Sequence, residues 1–136
     1  MEYSDANRGM IQFGPRIRQV IRFDNLRFGS ITPTDIDAMI EYHDRAFILY
    51  EYKHRGAGMS EGQRLALTRH VDALTAAGKL AALLLCEHDT EPDEDVDAGA
   101  AEVTGIYWGG SWREGTGKTA RECTEAFLDF ARLFGA

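Results

Sequence analysis

The fold of this chain depends most on residues 32–67, which read TPTDIDAMIEYHDRAFILYEYKHRGAGMSEGQRLAL. Residues 36–42 and 47–52 within this region are short runs rich in aromatic and β-branched side chains. Such runs are typical of strands, and the polar residues 43–45 between them predict a tight turn. We therefore expect an antiparallel β-hairpin, whose register decides which side chains face each other.

A helix is predicted directly after the hairpin. Gly56 and Gly58 interrupt the strand pattern, and Ser60 with Gln63 three positions later forms a capping box, which marks the beginning of a helix. Apolar residues then recur along one helical face, namely Leu67, Val71 and Leu74. Because a glycine at position 78 is a typical helix end, the helix is expected from about residue 61 to residue 77.

The second half of the chain predicts further elements of an α/β fold. Residues 80–86, LAALLLC, form a continuous apolar run, which is typical of a strand covered on both faces. Residues 103–108 predict another strand, and the glycine-rich residues 109–117 predict a flexible loop. A last helix is expected from Thr119, capped by Glu122 and closed by Gly135. Its predicted buried stripe consists of Cys123, Phe127, Phe130, Ala131 and Phe134.

The N-terminal region has a less definite pattern. Residues 1–15 contain two glycines and a proline and are expected to be loosely ordered. Residues 16–29 alternate arginines with apolar residues, as an edge strand does, but so short a run is equally compatible with a short helix. The arginines of this region either contact phosphates or form a solvated face.

Length and composition indicate a single domain over residues 1–136 with one hydrophobic core, because its apolar fraction of 44% and charged fraction of 27% are ordinary for a globular protein. No apolar run approaches the roughly 18 residues of a membrane span, and the polar N-terminus has no secretory pattern. Two cysteines, Cys86 and Cys123, do not make a disulfide framework. We therefore expect buried thiols, a cytoplasmic location and no association with membranes.

The charge of the chain is distributed unevenly. The formal net charge is −7, and seven acids without a lysine or arginine lie within residues 87–97. Without these seven of its 22 acids, the chain has 15 acids against 15 lysines and arginines. We interpret residues 87–99 as an exposed acidic insertion between two strands, which leaves room for a positive groove elsewhere because salt screens charge beyond about 8–10 Å.

Charged residues gather at the ends of the two hairpin strands. If the turn has three residues centred on Asp44, then Asp37 lies opposite Glu51, and Asp35 lies opposite Lys53, on one face of the sheet. A two-residue turn one position later would shift this pairing by one residue. Because buried charges need a partner or a metal, the three-residue register predicts a metal site.

Two carboxylates beside an ammonium group are suited to phosphodiester hydrolysis with Mg²⁺ or Mn²⁺, which prefer oxygen ligands. The lysine is informative, since the chain has twelve arginines and only three lysines, yet position 53 is a lysine. A desolvated lysine can lose its proton near neutral pH, whereas an arginine cannot. The alternative interpretation is a set of surface ion pairs, which contribute little to stability.

The order of these features in residues 30–86 resembles the PD-(D/E)XK nuclease superfamily. The resemblance implies a restriction-endonuclease-like core, with a mixed central sheet of about four to five strands flanked by helices. It implies Asp37 and Glu51 as metal ligands, the carbonyl of Tyr52 as a third ligand, and Lys53 as the catalytic lysine. Asp35, just after a proline, is an alternate ligand.

Two further points bear on this resemblance. Gln63 falls where several members of the superfamily carry a polar residue near the site, although the capping box explains it equally well. The leading helix of the superfamily, which sometimes carries a glutamate, is not evident, since Glu2 is the only glutamate before the hairpin.

Three basic or aromatic-ring residues are candidates for contact with nucleic acid. Arg27 belongs to the arginine-rich N-terminal region, and His54 directly follows Lys53. Lys118 lies in a glycine-rich loop before the last helix, where backbone N–H groups can bind a phosphate. This loop is not a complete P-loop, because Trp112 occupies the position of its first glycine.

The sequence therefore predicts a divalent-metal-dependent nuclease that hydrolyses phosphodiester bonds in DNA. Single-stranded or branched DNA and a homodimer remain open. One alternative is a catalytically inactive, nuclease-like module that binds a protein through its acidic segment. The other is an acidic inhibitor that imitates the charge of DNA.

Overall fold

A computed structural model describes residues 19–134 of the chain. These residues belong to two compact units, one that extends to Pro33 and one that begins at Thr34. The second unit is an α/β structure. Its elements are, in chain order, β1 (Ala38–Tyr42), β2 (Ala46–His54), α1 (Glu61–Ala76), β3 (Leu80–His88), β4 (Glu102–Trp108), β5 (Ser111–Glu114) and α2 (Ala120–Phe134).

The five strands form one mixed sheet in the order β1-β2-β3-β4-β5. Strands β2 and β3 are parallel, because α1 carries the chain back across the sheet between them, and the other neighbours are antiparallel. The predicted fold class, a mixed central sheet of four to five strands flanked by helices, is thus confirmed.

The hairpin has the three-residue turn that brings the two acids into register. Ala38 pairs with Tyr50 and Tyr42 pairs with Ala46. His43 and Asp44 both have positive φ, and the Arg45 N–H donates to the Tyr42 carbonyl at 2.9 Å. Asp44 tolerates this conformation better than most residues, because its short polar side chain suits the left-handed region. The two-residue turn is therefore excluded.

Strand β3 is buried from both sides, as its apolar run predicted. One core, which includes Leu49, Leu67 and Leu83, lies between the sheet and α1. The other core, which includes Ile48 and Phe127, lies between the opposite face of the sheet and α2. Alternate residues of β2 therefore point to different helices, and this alternation decides on which face each charged residue lies.

Both helices begin at the predicted caps. Ser60 Oγ accepts the Gln63 N–H at the start of α1, and Thr119 with Glu122 forms a reciprocal capping box at the start of α2. Helix α1 ends at Ala76, one residue earlier than predicted, and Gly78 follows with a φ of 88°. The side chain of Phe134 and residue Gly135 lie outside the described part of the chain.

The prediction of a flexible loop over residues 109–117 is wrong in its first half. Gly109 and Gly110 both have positive φ, and they form the turn of a second hairpin, in which Trp112 of β5 pairs with Tyr107 of β4. Two successive glycines are a typical hairpin turn, because each adopts positive φ without steric cost. The strand was missed because only four residues, SWRE, follow the turn.

The acidic segment is a connection between β3 and β4. Its first two residues differ from the prediction, since Glu87 and His88 still belong to β3, and the connection itself comprises residues 89–101. The Arg55 side chain contacts Asp89 at 3.0 Å and Glu102 at 3.2 Å, so one guanidinium links both ends of the connection.

The N-terminal unit is described from residue 19. It contains a 3-10 turn at Asp24–Leu26, an ion pair between Arg22 and Asp24, and an isolated bridge between Phe28 and Ile31. The edge strand considered for residues 16–29 is not present in their described part, residues 19–29, where the only helical element is this 3-10 turn of three residues. The segment predicted to be loosely ordered, residues 1–15, lies outside the described residues. Over residues 19–134, no helix has the length and apolar character needed to cross a membrane.

Candidate functional site

The hairpin register brings Asp37 to the end of β2 that carries Glu51. Asp37 lies one residue before β1, and its Oδ2 accepts the backbone N–H of Tyr52 at 2.8 Å. This hydrogen bond extends the pairing of the two strands beyond the last residue of β1. It orients the carboxylate of Asp37 and leaves Oδ1 without a hydrogen bond to any residue of the described chain.

Glu51 is a buried acid on the face of the sheet that α1 covers. Its side chain is only 2% exposed. Oε1 accepts the side-chain amide of Gln63 at 2.6 Å and lies 3.2 Å from Nζ of Lys53. Oε2 is also buried, and it has no hydrogen-bond partner among the described residues. Such an atom is costly to bury, so its presence needs an explanation.

The environment of Glu51 raises its pKa above the ordinary value. Burial is the largest cause, because desolvation disfavours the ionised form. The negative charge of Asp37 acts in the same direction, while Lys53 and Gln63 oppose the rise by stabilising the carboxylate. The protein therefore holds two acids close enough to repel each other, beside a single lysine.

The position of Gln63 distinguishes its two interpretations. Its backbone N–H completes the helix cap at Ser60, as the capping box predicts. Its side chain does not return to the cap but donates to Glu51. The residue therefore contributes to the site through its side chain, and the glutamine at this position is explained by both its backbone and its amide group.

Lys53 occupies the same face of β2 as Glu51, two residues further along the strand. Its side chain is 26% exposed, so the ammonium group lies at the boundary between the buried acid and solvent. Its backbone position is level with Glu87 of β3. Lys53 is thus placed to contact both Glu51 and a molecule that approaches from solvent.

The residues present fit a small, hard cation better than a transition metal. Among residues 19–134, no group of three or more histidines, cysteines and acids forms a metal-binding cluster. Two carboxylates are nevertheless the usual protein contribution to a Mg²⁺ site, where waters and substrate phosphates supply the other ligands. The Tyr52 carbonyl points to the same edge of β2 as its N–H, towards Asp37, since both groups of a strand residue share one side. The partnerless Oε2 of Glu51 is the feature that a cation would explain.

Asp35, His54, Lys118 and Arg27 were also predicted as site residues. Asp35 is exposed and forms no hydrogen bond or ion pair with the described residues. His54 points to the face that α2 covers, where its ring meets the edge of the His88 ring at a centroid distance of 5.6 Å. Lys118 lies on that same face, beside a cavity of about 340 Å³ that Ile48 and Phe127 also line. Arg27 belongs to the N-terminal unit, where it follows the 3-10 turn.

Sequence reasoning missed Arg55, two residues after the predicted catalytic lysine. Its contacts with Asp89 and Glu102 hold the acidic connection to the end of β2. The charge of Arg55 was visible in the sequence, but its partners are 34 and 47 positions away. No local pattern identifies partners at such separations.

Comparisons with family models, curated proteins and solved structures return no match for this chain.

Proposed function

We propose that the chain is a divalent-metal-dependent nuclease that hydrolyses phosphodiester bonds in DNA, with a restriction-endonuclease-like core. The observation that supports this proposal most directly is the buried, partnerless Oε2 of Glu51 beside Asp37 and Lys53. An ionised acid in this environment is destabilising on its own, and acids with perturbed pKa values cluster at functional sites. Asp37, Glu51 and the carbonyl of Tyr52 would hold Mg²⁺ or Mn²⁺.

The cation, when bound, supplies Lewis-acid polarisation of the phosphate and acidifies water. Asp37 and Glu51 contribute negative charge at fixed positions, because the Tyr52 N–H orients one carboxylate and Gln63 orients the other. Preorganised groups of this kind are effective, since they need no rearrangement during the reaction. Asp35 lies two residues before Asp37 and is the alternate acid of this set.

Lys53 has two tasks in this proposal. Its Nζ forms an ion pair with Glu51 Oε1 at 3.2 Å, which helps to keep that carboxylate in place. Its partial exposure also allows Nζ to reach a phosphate oxygen or an attacking water, where it stabilises developing negative charge or accepts a proton.

The substrate is expected to be DNA, although the surface gives no sign of strong sequence-independent binding. The net charge of −7 opposes non-specific attraction to a polyanion. Positioning must therefore come mainly from the site itself, and His54, Arg27 and Lys118 are the basic residues that we propose as phosphate contacts. A cytoplasmic enzyme acting on single-stranded or branched DNA is consistent with this weak general attraction.

The test is cleavage by the purified chain with Mg²⁺ or Mn²⁺ on a panel of linear, circular, single-stranded and branched DNA. Asp37→Ala, Glu51→Ala and Lys53→Ala should each abolish cleavage and keep the circular dichroism spectrum of the parent. Asp129→Ala is the matched control, because Asp129 is an exposed acid of α2 paired with Arg132 and should leave cleavage unchanged. Undiminished cleavage in all three site variants would refute the proposal.

A further inference from the structure

An open cavity of about 340 Å³ lies between the sheet and α2, on the face opposite Glu51. Its floor consists of Ile48, Ala82 and Leu84, whose side chains are at most 4% exposed. Protein interiors are close-packed, and few voids in them are larger than a water molecule. A cavity of this size in the core under α2 is therefore a candidate ligand site.

The cavity exists because small side chains meet between α2 and the sheet. Ala82 of β3 and Ala126 of α2 both line it, so neither fills the space with a bulky group. Trp108 and Phe127 form part of its wall, and their rings meet edge to face at a centroid distance of 5.2 Å. This contact holds the two rings in place, so the cavity is preformed.

One end of the cavity is polar. Among the described residues that line it, Lys118 carries the only charge and Thr116 the only hydroxyl, and both residues are exposed. Both belong to the loop between β5 and α2. Lys118 forms no ion pair and the Thr116 hydroxyl forms no hydrogen bond with another described residue. An apolar cavity thus has unpaired hydrogen-bond donors and a positive charge at its solvent end.

The charge of Lys118 acts close to the cavity. Burial raises the pKa of the Cys123 thiol, which lines the cavity, and the positive charge of Lys118 opposes this rise. Hydrogen bonds from Thr119 lower the pKa of Glu122, and Lys118 adds to that effect. One carboxylate is therefore already near the ammonium group, although the two form no ion pair in the described chain.

We propose that this cavity binds an aliphatic monocarboxylic acid, with its alkyl chain against Trp108 and Phe127 and its carboxylate at Lys118 and Thr116. Apolar walls with a few polar groups that fix the orientation are typical of small-molecule sites. Because an apolar cavity of about 150 Å³ accepts benzene, this cavity should accept roughly a dozen non-hydrogen atoms, as in decanoate.

Two other classes of ligand fit the cavity less well. A phosphate monoester carries nearly two negative charges at neutral pH, and Glu122 repels the second one. A neutral alcohol fills the apolar space but leaves Lys118 without a counter-charge. The proposal does not depend on the proposed nuclease activity. When the acid is bound, Lys118 is not available to the DNA phosphate that the proposed function assigns to it.

Calorimetric titration of the full chain with decanoate, below the concentration at which decanoate forms micelles, tests the head group. We expect one molecule bound per chain, and Lys118→Gln should weaken its binding about tenfold because a charged contact is lost. Binding of 1-decanol should change less than about threefold. Lys79→Gln is the matched control, since Lys79 pairs with Asp44 and should leave both affinities unchanged. No binding of decanoate to the parent, or equal weakening of acid and alcohol, would overturn the proposal.

A second experiment tests the location of the ligand. Ala126→Phe adds a ring to the lining from an exposed position, so the variant should keep the circular dichroism spectrum of the parent and bind decanoate about tenfold more weakly. Ala126→Ser is the control, because it keeps a small side chain. In the parent, saturating decanoate should slow the alkylation of Cys123 by iodoacetamide. Unchanged affinity in Ala126→Phe together with an unchanged alkylation rate would overturn the proposal, and so would tighter binding of decyl phosphate than of decanoate.

Discussion

The side-chain amide of Gln63 donates to Oε1 of the buried Glu51 at 2.6 Å, across the gap between α1 and β2. The same residue provides the backbone N–H that the Ser60 hydroxyl accepts at the beginning of the helix. The start of α1 is therefore tied to the acid of the neighbouring strand. A substitution of Ser60 tests the helix cap, and a substitution of Gln63 tests the contact with Glu51.

Replacing Gln63 with alanine should impair the site more than the fold. Glu51 would lose the neutral donor that favours its ionised form, so its pKa should rise further. Loss of a group that orients a ligand typically costs 10–100-fold in metal affinity or activity, and we expect a loss in about this range. Mn²⁺ titration and cleavage rates measure the effect.

Ser60→Ala is the matched control for that variant. It removes the cap hydroxyl and should lower the free energy of unfolding by about 1 kcal/mol, while leaving the contact between Gln63 and Glu51 intact. Metal affinity that falls equally in both variants would show that Gln63 acts only through the helix cap.

Replacing Glu51 with glutamine should stabilise the metal-free protein at neutral pH. The ionised carboxylate is buried and repelled by Asp37, and the amide removes that charge while keeping the shape. The same change should eliminate stabilisation by Mn²⁺, since binding to the folded state is what raises the melting temperature. Thermal denaturation with and without Mn²⁺ checks both effects. If the parent is more stable than Glu51→Gln in the absence of metal, the expected stabilisation by glutamine is contradicted.

The pH dependence of stability follows from the direction of the Glu51 shift. Because the folded state holds this proton more tightly, stability falls as pH rises from the ordinary pKa of 4.5 to the higher value of the folded protein. Below pH 4.5 the Glu51 carboxyl is protonated in the folded and the unfolded state, so its burial no longer lowers the stability of the protein. Subtracting the unfolding free energy of Glu51→Gln from that of the parent isolates this contribution, and a difference that stays constant between mildly acidic and neutral pH would contradict it.

Lys53→Arg separates the two tasks assigned to the lysine. If Nζ of Lys53 exchanges a proton during cleavage, Lys53→Arg should be nearly as inactive as Lys53→Ala, because a guanidinium stays protonated. The expected loss of cleavage rate is about 10²–10⁴-fold. Single-turnover cleavage rates against pH provide the measurement. Lys79→Arg is the control, since Lys79 pairs with Asp44 of the turn and should tolerate the change. Full activity of Lys53→Arg would limit the lysine to a purely electrostatic role.

Leu83→Ala tests the core between the sheet and α1, independently of any activity. Leu83 is completely buried in the central strand and packs in the same core as Leu67 and Leu49. Removing its side chain should lower the free energy of unfolding by about 2–5 kcal/mol. Denaturant unfolding measures this loss, and Leu133→Ala, at an exposed position of α2, should change stability little.

Much of the fold was predictable, because its signals are local. The capping boxes at Ser60 and Thr119, the apolar run of β3 and the hairpin around Asp44 all depend on residues close in sequence. Strand β5 was not predicted, since four residues carry too little periodicity to outweigh the glycines around them.

The candidate site was predictable to the extent that strand alternation and hairpin register determine it. The register set by a three-residue turn centred on Asp44 places Asp37 beside the end of β2. The hydrogen bond from the Tyr52 N–H to Asp37 confirms that position. The side of the sheet on which Lys118 lies was not predictable, because it depends on how α2 packs against strands that are distant from it in sequence. The same holds for Arg55, whose partners meet it only through the parallel pairing of β2 and β3.

That parallel pairing has an electrostatic consequence. The carboxyl ends of β2 and β3 finish side by side, with Lys53 level with Glu87, so the chain enters its most acidic stretch at the rim of the candidate site. A polyanion bound at this site would therefore lie close to a concentration of like charge. Encounter should therefore be slowest in dilute buffer and quicken as added salt shortens the range of repulsion. The protein would then reverse the salt sensitivity familiar from basic DNA-binding surfaces.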